Sequence, residues 1–112
     1  MQDNLKSALH EFITQAEQIY EGHIKQIILY GSYARGDYHA ESDVDIMILV
    51  DLSQDDMKEY RKRLMRKVFD INLEYDTMIA PVTVNAEHFQ DWLPVYPFYQ
   101  NVMNEGVSLF AA

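Results

Sequence analysis

"YGSYARGDYHAESDVDIMILV", residues 30–50, joins the end of one apolar run to the start of another through a loop of small and polar residues. Upstream, "HIKQIILY" (residues 23–30) is β-branched and almost wholly apolar at its end, the pattern of a strand covered on both faces, and it stops at Gly31. Downstream, residues 44–50 are apolar again. Alternation puts Val44, Ile46 and Ile48 on one face and Asp43, Asp45, Met47 and Leu49 on the other. Between Ser32 and Asp43 there is room only for a turn and a short helix from about Ser32 to Arg35. Gly31 permits close approach of a backbone or a phosphate, and the Ser32 hydroxyl stands beside helix-start N–H groups, so the pair is a candidate anion cradle. Asp43 and Asp45 share a strand face, which suits them to hold the same divalent cations.

Two carboxylates beside a bare triphosphate would repel it. At an effective dielectric near 20, unit charges about 4 Å apart interact by about 4 kcal/mol. Bridging metal reverses the sign, and two Mg²⁺ ions would also activate an attacking oxygen and stabilise a leaving pyrophosphate. The whole chain is acidic, with 18 Asp and Glu against 9 Lys and Arg and a formal charge of −9. That disfavours direct binding to a nucleic-acid backbone. Cysteine is absent, so neither a disulfide framework nor a Cys-based metal site is available. The opening "MQDNLKSALHEF" has no basic n-region followed by an apolar h-region, and no apolar stretch approaches the length of a membrane span. The expectation is a soluble cytoplasmic protein.

Working outward, the 112 residues contain no repeat, low-complexity tract or linker, so residues 1–112 read as one domain. Leu5, Ala8, Leu9, Phe12, Ala16, Ile19 and Tyr20 recur at helical spacing, with Gly22 placed to end that helix. Ser53 and Asp56 resemble a capping box opening a helix with the stripe Met57, Tyr60, Leu64, Val68 and Ile71. "EYDTMIAPVTV" (residues 74–84) reads as a third strand, and the strand–helix–strand order favours parallel pairing with the second. Pro81 suits an edge or a strand end. Asn85 is placed to cap a short helix ending near Trp92, Pro97 to start another and Gly106 to end it.

Neither Gly-Ser nor D-x-D is specific alone, since each is common in turns and caps. The assembled string is specific: an apolar strand, Gly-Ser, a ten-residue interval, then D-x-D opening a second apolar strand. It resembles the signature of the DNA polymerase β-like nucleotidyltransferase superfamily, and "GSYARG" with "SDVDIMIL" looks like its minimal nucleotidyltransferase (MNT) family. "YPFYQNVMNEGVSLF" looks like the usual ending of such proteins.

The resemblance implies an α/β (α+β) fold, a small mixed sheet flanked by helices. It also implies ATP bound with Mg²⁺ and transfer of AMP to an acceptor. Carried over, Gly31 and Ser32 would hold the triphosphate, and Asp43 and Asp45 would ligate metal. Arg35 stands where the family motif has arginine, where a phosphate or acceptor contact and a structural pair with a nearby carboxylate fit equally. The family's third carboxylate lies on a later strand, and Asp70, Glu74 and Asp76 compete for it. Asp70 falls near the end of the helical stripe. Glu74 and Asp76 share parity, and Asp76 immediately precedes "TMIAPV" just as Asp43 and Asp45 open "IMILV", so Asp76 is predicted as third metal ligand and general base.

A chain this short has little beyond the catalytic sheet and its cover, so the acceptor is expected on another molecule. MNT proteins typically occur beside a HEPN-domain partner, often a toxic ribonuclease, and the resemblance implies an antitoxin that transfers AMP to a tyrosine of that toxin. Two other functions are compatible: masking the partner without catalysis, and nucleotidyl transfer to a small molecule by a homodimer whose second subunit completes the pocket; a homo-oligomer is thus a candidate partner state. His10, His23, His39 and His88 lack ligand-like spacing. "RKRLMRK" (residues 61–67) reads as a solvated face, with a docking patch as the alternative. Tyr96, Phe98 and Tyr99 are expected to pack against the core, with an interface role as their alternative.

Overall fold

A computed structural model describes residues 3–112. In chain order the elements are α1 (Asp3–Tyr20), β1 (Ile24–Tyr30), α2 (Ser32–Arg35), β2 (Val44–Val50), α3 (Gln54–Tyr75), β3 (Ile79–Asn85), α4 (Ala86–Trp92), α5 (Pro97–Glu105) and β4 (Val107–Ala111). The strands form one mixed sheet in the order β3-β2-β1-β4. β1 runs antiparallel to β2 and β4, while β2 pairs in parallel with β3, as the strand–helix–strand order predicts. Pro81 lies on β3 at the sheet edge.

The alternation in β2 sorts the core into two layers. Val44, Ile46 and Ile48 pack with Leu5, Phe12 and Tyr20 of α1 and with Met57, Leu64, Val68 and Ile71 of α3. Met47 and Leu49 pack on the opposite side with Ile28 of β1, Phe89 of α4, and Tyr99 and Val102 of α5. Asp45 follows the second parity and therefore faces the α4–α5 side. Of the three aromatic residues expected in the core, Tyr99 is buried, whereas Tyr96 and Phe98 remain more than a third exposed. No helix among the described residues is long and apolar enough to cross a membrane.

The caps follow the sequence. The Ser53 hydroxyl accepts from the Asp56 N–H, and the Asn85 side chain accepts from the His88 N–H. Pro97 occupies the first turn of α5. Gly22 has φ +85 and leaves α1 in the left-handed region. Gly106 ends α5 for a different reason: its φ is −70°, and a Cβ there would overlap the Val102 carbonyl and the Ile28 side chain. It lets the end of α5 lie directly against β1.

Two departures from the sequence reading matter for the site. The third strand begins at Ile79 instead of near Glu74, because α3 continues to Tyr75 and Asp76 is its C-cap, at φ 54° and ψ 52°. Asn72 makes this joint. Its Oδ1 accepts from the Thr77 hydroxyl (2.9 Å) and the Ile79 N–H (2.9 Å), and its Nδ2 donates to the Ile79 carbonyl (3.1 Å). Removing that side chain leaves part-buried backbone groups unpaired, so Asn72→Ala is expected to cost about 2 kcal/mol. Urea unfolding would then show a lower midpoint at unchanged slope, and an unchanged midpoint would show that something else holds the joint. The second departure is β4, which lies beside β1 and had no counterpart in the sequence reading.

Candidate active site

β1 ends by delivering Gly31, and β2 begins one residue after Asp43, so the loop and both aspartates arrive at one end of the two central strands. The register places Tyr30 opposite Asp45. Gly31 has φ +74° and ψ −155°, a region essentially reserved for glycine. A Cβ there would overlap Asp45 Oδ2. The missing side chain thus lets the Asp45 carboxylate lie against the loop backbone. The Gly31 carbonyl accepts from the N–H groups of Ala34 (3.1 Å) and Arg35 (3.0 Å), closing the single turn of α2 with Ser32 as its first residue.

A second carboxylate reaches the same loop from the far end of the chain. The Gly31 N–H donates to Glu105 Oε1 at 3.0 Å, and Arg35 Nη1 donates to both Glu105 oxygens at 3.2 Å. Arg35 Nε also donates to Asp37 Oδ2 at 3.2 Å. An N–H and a guanidinium therefore converge on one anion position, filled by Glu105. Sequence reasoning missed Glu105. Its available signal was an acid in the last turn of α5, where the helix dipole disfavours negative charge and an external partner is needed. Arg35 thus pairs with two carboxylates, Asp37 and Glu105.

The electrostatics follow from crowded acids. Burial, then the charge of Asp43 and, more weakly, that of Glu105 raise the Asp45 pKa above its ordinary value, and Arg35 partly offsets them. Tyr30 is pushed up to about 12, first by burial and then by Asp45, so it remains a neutral phenol at physiological pH. Hydrogen bonds to Asp37 and Glu105 hold the Arg35 pKa above its usual value.

The structure places Asp76 at the α3 C-cap, outside β3, and it forms no three-carboxylate metal group with Asp43 and Asp45. β3 residues paired with the strand start are Ile79 opposite Val44 and Ala80 opposite Asp45. Met78, Ala80, Val82 and Val84 therefore supply no carboxylate on the Asp45 face. Asp76 instead lines a cavity of about 390 Å³ with Asn4, Tyr33, Tyr38, His39 and Ser42, where the Tyr33 and Tyr38 rings stack with centroids 4.2 Å apart. Glu74 belongs to α3 and Asp70 is exposed on it.

Among the described residues no three His, Cys, Asp or Glu side chains are arranged as a metal cage. Two hard carboxylates whose mutual repulsion a cation would relieve nevertheless fit Mg²⁺, which takes one or two protein carboxylates and completes its shell with phosphate oxygens and water.

The chain is similar to known proteins. The family model described as a nucleotidyltransferase domain matches residues 9–102. A protein of Methanocaldococcus jannaschii named "Putative protein adenylyltransferase" is 36% identical over 107 residues, covering 96% of this chain and 99% of that protein. A second protein of that description from the same organism is 38% identical over 74 residues, 66% of this chain and 73% of its own length. In fold, the chain is similar to a crystal structure described as a toxin–antitoxin with AMP-PNP, with a TM-score of 0.58 and 22% identity over 90% of this chain and 72% of the other.

Proposed function

Because the chain belongs to the nucleotidyltransferase domain family, we propose that it is a Mg²⁺-dependent protein adenylyltransferase that moves AMP from ATP to a tyrosine of a HEPN-domain toxin in the cytoplasm, acting as its antitoxin. The observation that carries this reading is the convergence of Gly31, Ser32, Asp43 and Asp45 at one end of β1 and β2, beside an anion position made by Gly31 and Arg35. Supporting it are the named activity of the relatives and the described toxin–antitoxin state of a protein with this fold.

Asp43 and Asp45 would hold Mg²⁺, which when bound neutralises the triphosphate and polarises the α-phosphoryl group. Gly31 and Ser32 bind and orient the phosphates through the loop backbone and hydroxyl. Arg35 supplies a fixed positive charge to them once Glu105 gives way. In the reaction the acceptor oxygen bonds to the α-phosphorus, the bond from that phosphorus to the α–β bridging oxygen breaks, and pyrophosphate leaves while the hydroxyl proton passes to a base.

The sequence expectation gives that base to Asp76. Asn tolerates the left-handed cap conformation, so Asp76→Asn probes the role without disturbing α3. From the α3 C-cap, outside β3, Asp76→Asn is expected to slow single-turnover transfer less than about tenfold. A loss equal to that of the aspartate pair would restore Asp76 as base.

The deciding experiment is mass spectrometry of the partner toxin after incubation with the protein, ATP and Mg²⁺. An AMP increment on tyrosine, with inhibition that persists after this chain is removed, is expected. Equal neutralisation by the Asp43→Asn/Asp45→Asn variant, with no increment, would replace catalysis by masking.

A further inference from the structure

α3 is apolar on two sides. Met57, Leu64, Val68 and Ile71 are buried against α1 and the sheet, but Met65, Phe69 and Leu73, spaced four residues apart, form a second stripe at 46%, 64% and 69% exposure. A solvated face carries no such stripe without a partner. Lys58, Arg61, Lys62 and Arg66 line the open groove beside it, and six of the chain's nine basic residues lie between positions 58 and 67. The face combines a stripe of large apolar side chains with the main basic region of an acidic protein.

We propose that this face binds a second copy of this chain, with the two α3 helices packed antiparallel about a two-fold axis at Phe69. Residues equally far from Phe69 then meet across the axis, so Met65 packs on Leu73 of the second copy. Arg66 and Asp70 project from the same flank of the stripe, separated by one helical turn. Arg66 lies three residues before the axis and Asp70 one after it, an axial offset of about 3 Å that an arginine side chain spans, so Arg66 of each copy reaches Asp70 of the other and gives two equivalent ion pairs beside one apolar centre. Residues at four-residue spacing form a ridge that packs into the groove of a like helix and confines contact to these middle turns. Self-complementarity of this kind is what an isologous interface requires. A nucleic acid or an anionic membrane fits worse, because Glu59 and Asp70 interrupt the basic frame and the whole chain carries −9. Since α3 covers the Val44 face while Asp45 faces α4 and α5, both active sites stay open in the dimer.

Analytical ultracentrifugation tests this on the full chain. At tens of micromolar, wild type is expected near twice the 13.2 kDa chain mass. Arg66→Asp and Asp70→Arg each place like charges together and should be monomeric, with circular dichroism unchanged because both positions are exposed. Their equimolar mixture should recover the dimer, since each interface then pairs two acids with two bases. Phe69→Glu should be monomeric in every mixture. A wild type that stays monomeric at about 100 μM, single variants that dimerise like wild type, or a mixture without recovery would each overturn the proposal.

Discussion

Replacing both site aspartates, Asp43→Asn with Asp45→Asn, is expected to lower AMP transfer by roughly a thousandfold or more, about 4 kcal/mol of transition-state stabilisation. The nucleotide-free protein should become more heat-stable at the same time. Asp45 is held above its ordinary pKa of 3.8 by burial and by the charges of Asp43 and Glu105, against a smaller opposing effect of Arg35. With the folded value above the unfolded one, the native state binds more protons between the two. Stability therefore falls as pH rises through that window, and the penalty is fully present at neutral pH. Asp45→Asn removes it, so its melting temperature should exceed wild type at pH 7 and the gain should vanish once pH falls below 3.8. Single-turnover transfer and melting at the two pH values give the readout. Full transfer by the double variant would remove the pair from the chemistry, and a lower melting temperature at pH 7 would show that the carboxylates stabilise the fold.

Gly31→Ala should be the most damaging single methyl in the loop. Its φ of +74° and ψ of −155° already exclude an ordinary side chain, and the new Cβ would overlap the Asp45 carboxylate. The combined cost is about 3 kcal/mol, a fall in melting temperature on the order of 12 °C or more, with loss of transfer as Asp45 is displaced. Gly36 is the control, because its φ is +87° but a Cβ there meets nothing within 4 Å. Gly36→Ala should cost about 1 kcal/mol and leave transfer largely intact. Equal losses from the two substitutions would show that backbone conformation alone, and not the Asp45 contact, demands glycine at residue 31.

The loop and the two aspartates were legible because their information is local. Strand alternation fixes the parity of Asp43 and Asp45, and the short interval after Ser32 forces α2 and the return into β2 within one neighbourhood. Asp76 was read as opening a strand, not as capping α3, because the boundary between α3 and β3 is set by one side chain, Asn72, whose bonds to Thr77 and Ile79 have no signature in periodicity. Glu105 was invisible for the opposite reason: its partners lie 74 and 70 positions away, and only the docking of α5 and β4 on β1 brings them together. β4 itself is five residues with only Leu109 and Phe110 half-buried, too short and too exposed to declare a strand by pattern. The outer stripe of α3 was present in the letters Met65, Phe69 and Leu73, but the buried stripe beside it accounted for the helix, and the basic residues between them read as solvated.

The tie between Glu105 and the Gly31 loop also bears on how long the site persists once formed. The loop is braced by Glu105, two residues before β4, a short edge strand whose register against β1 shifts between Ile27 and Ile28. Closing the chain between positions 31 and 105 carries a loop entropy that the nearby β1–β2 pairing does not, so this brace belongs among the later contacts to form and the earlier ones to open. The Gly31 loop is then as durable as β4, whatever the strength of the core beneath it. In hydrogen exchange the Gly31 amide should open together with the β4 amides, faster than Ile27 or Ile46 in the sheet centre, giving the site an opening rate set by the chain's last strand.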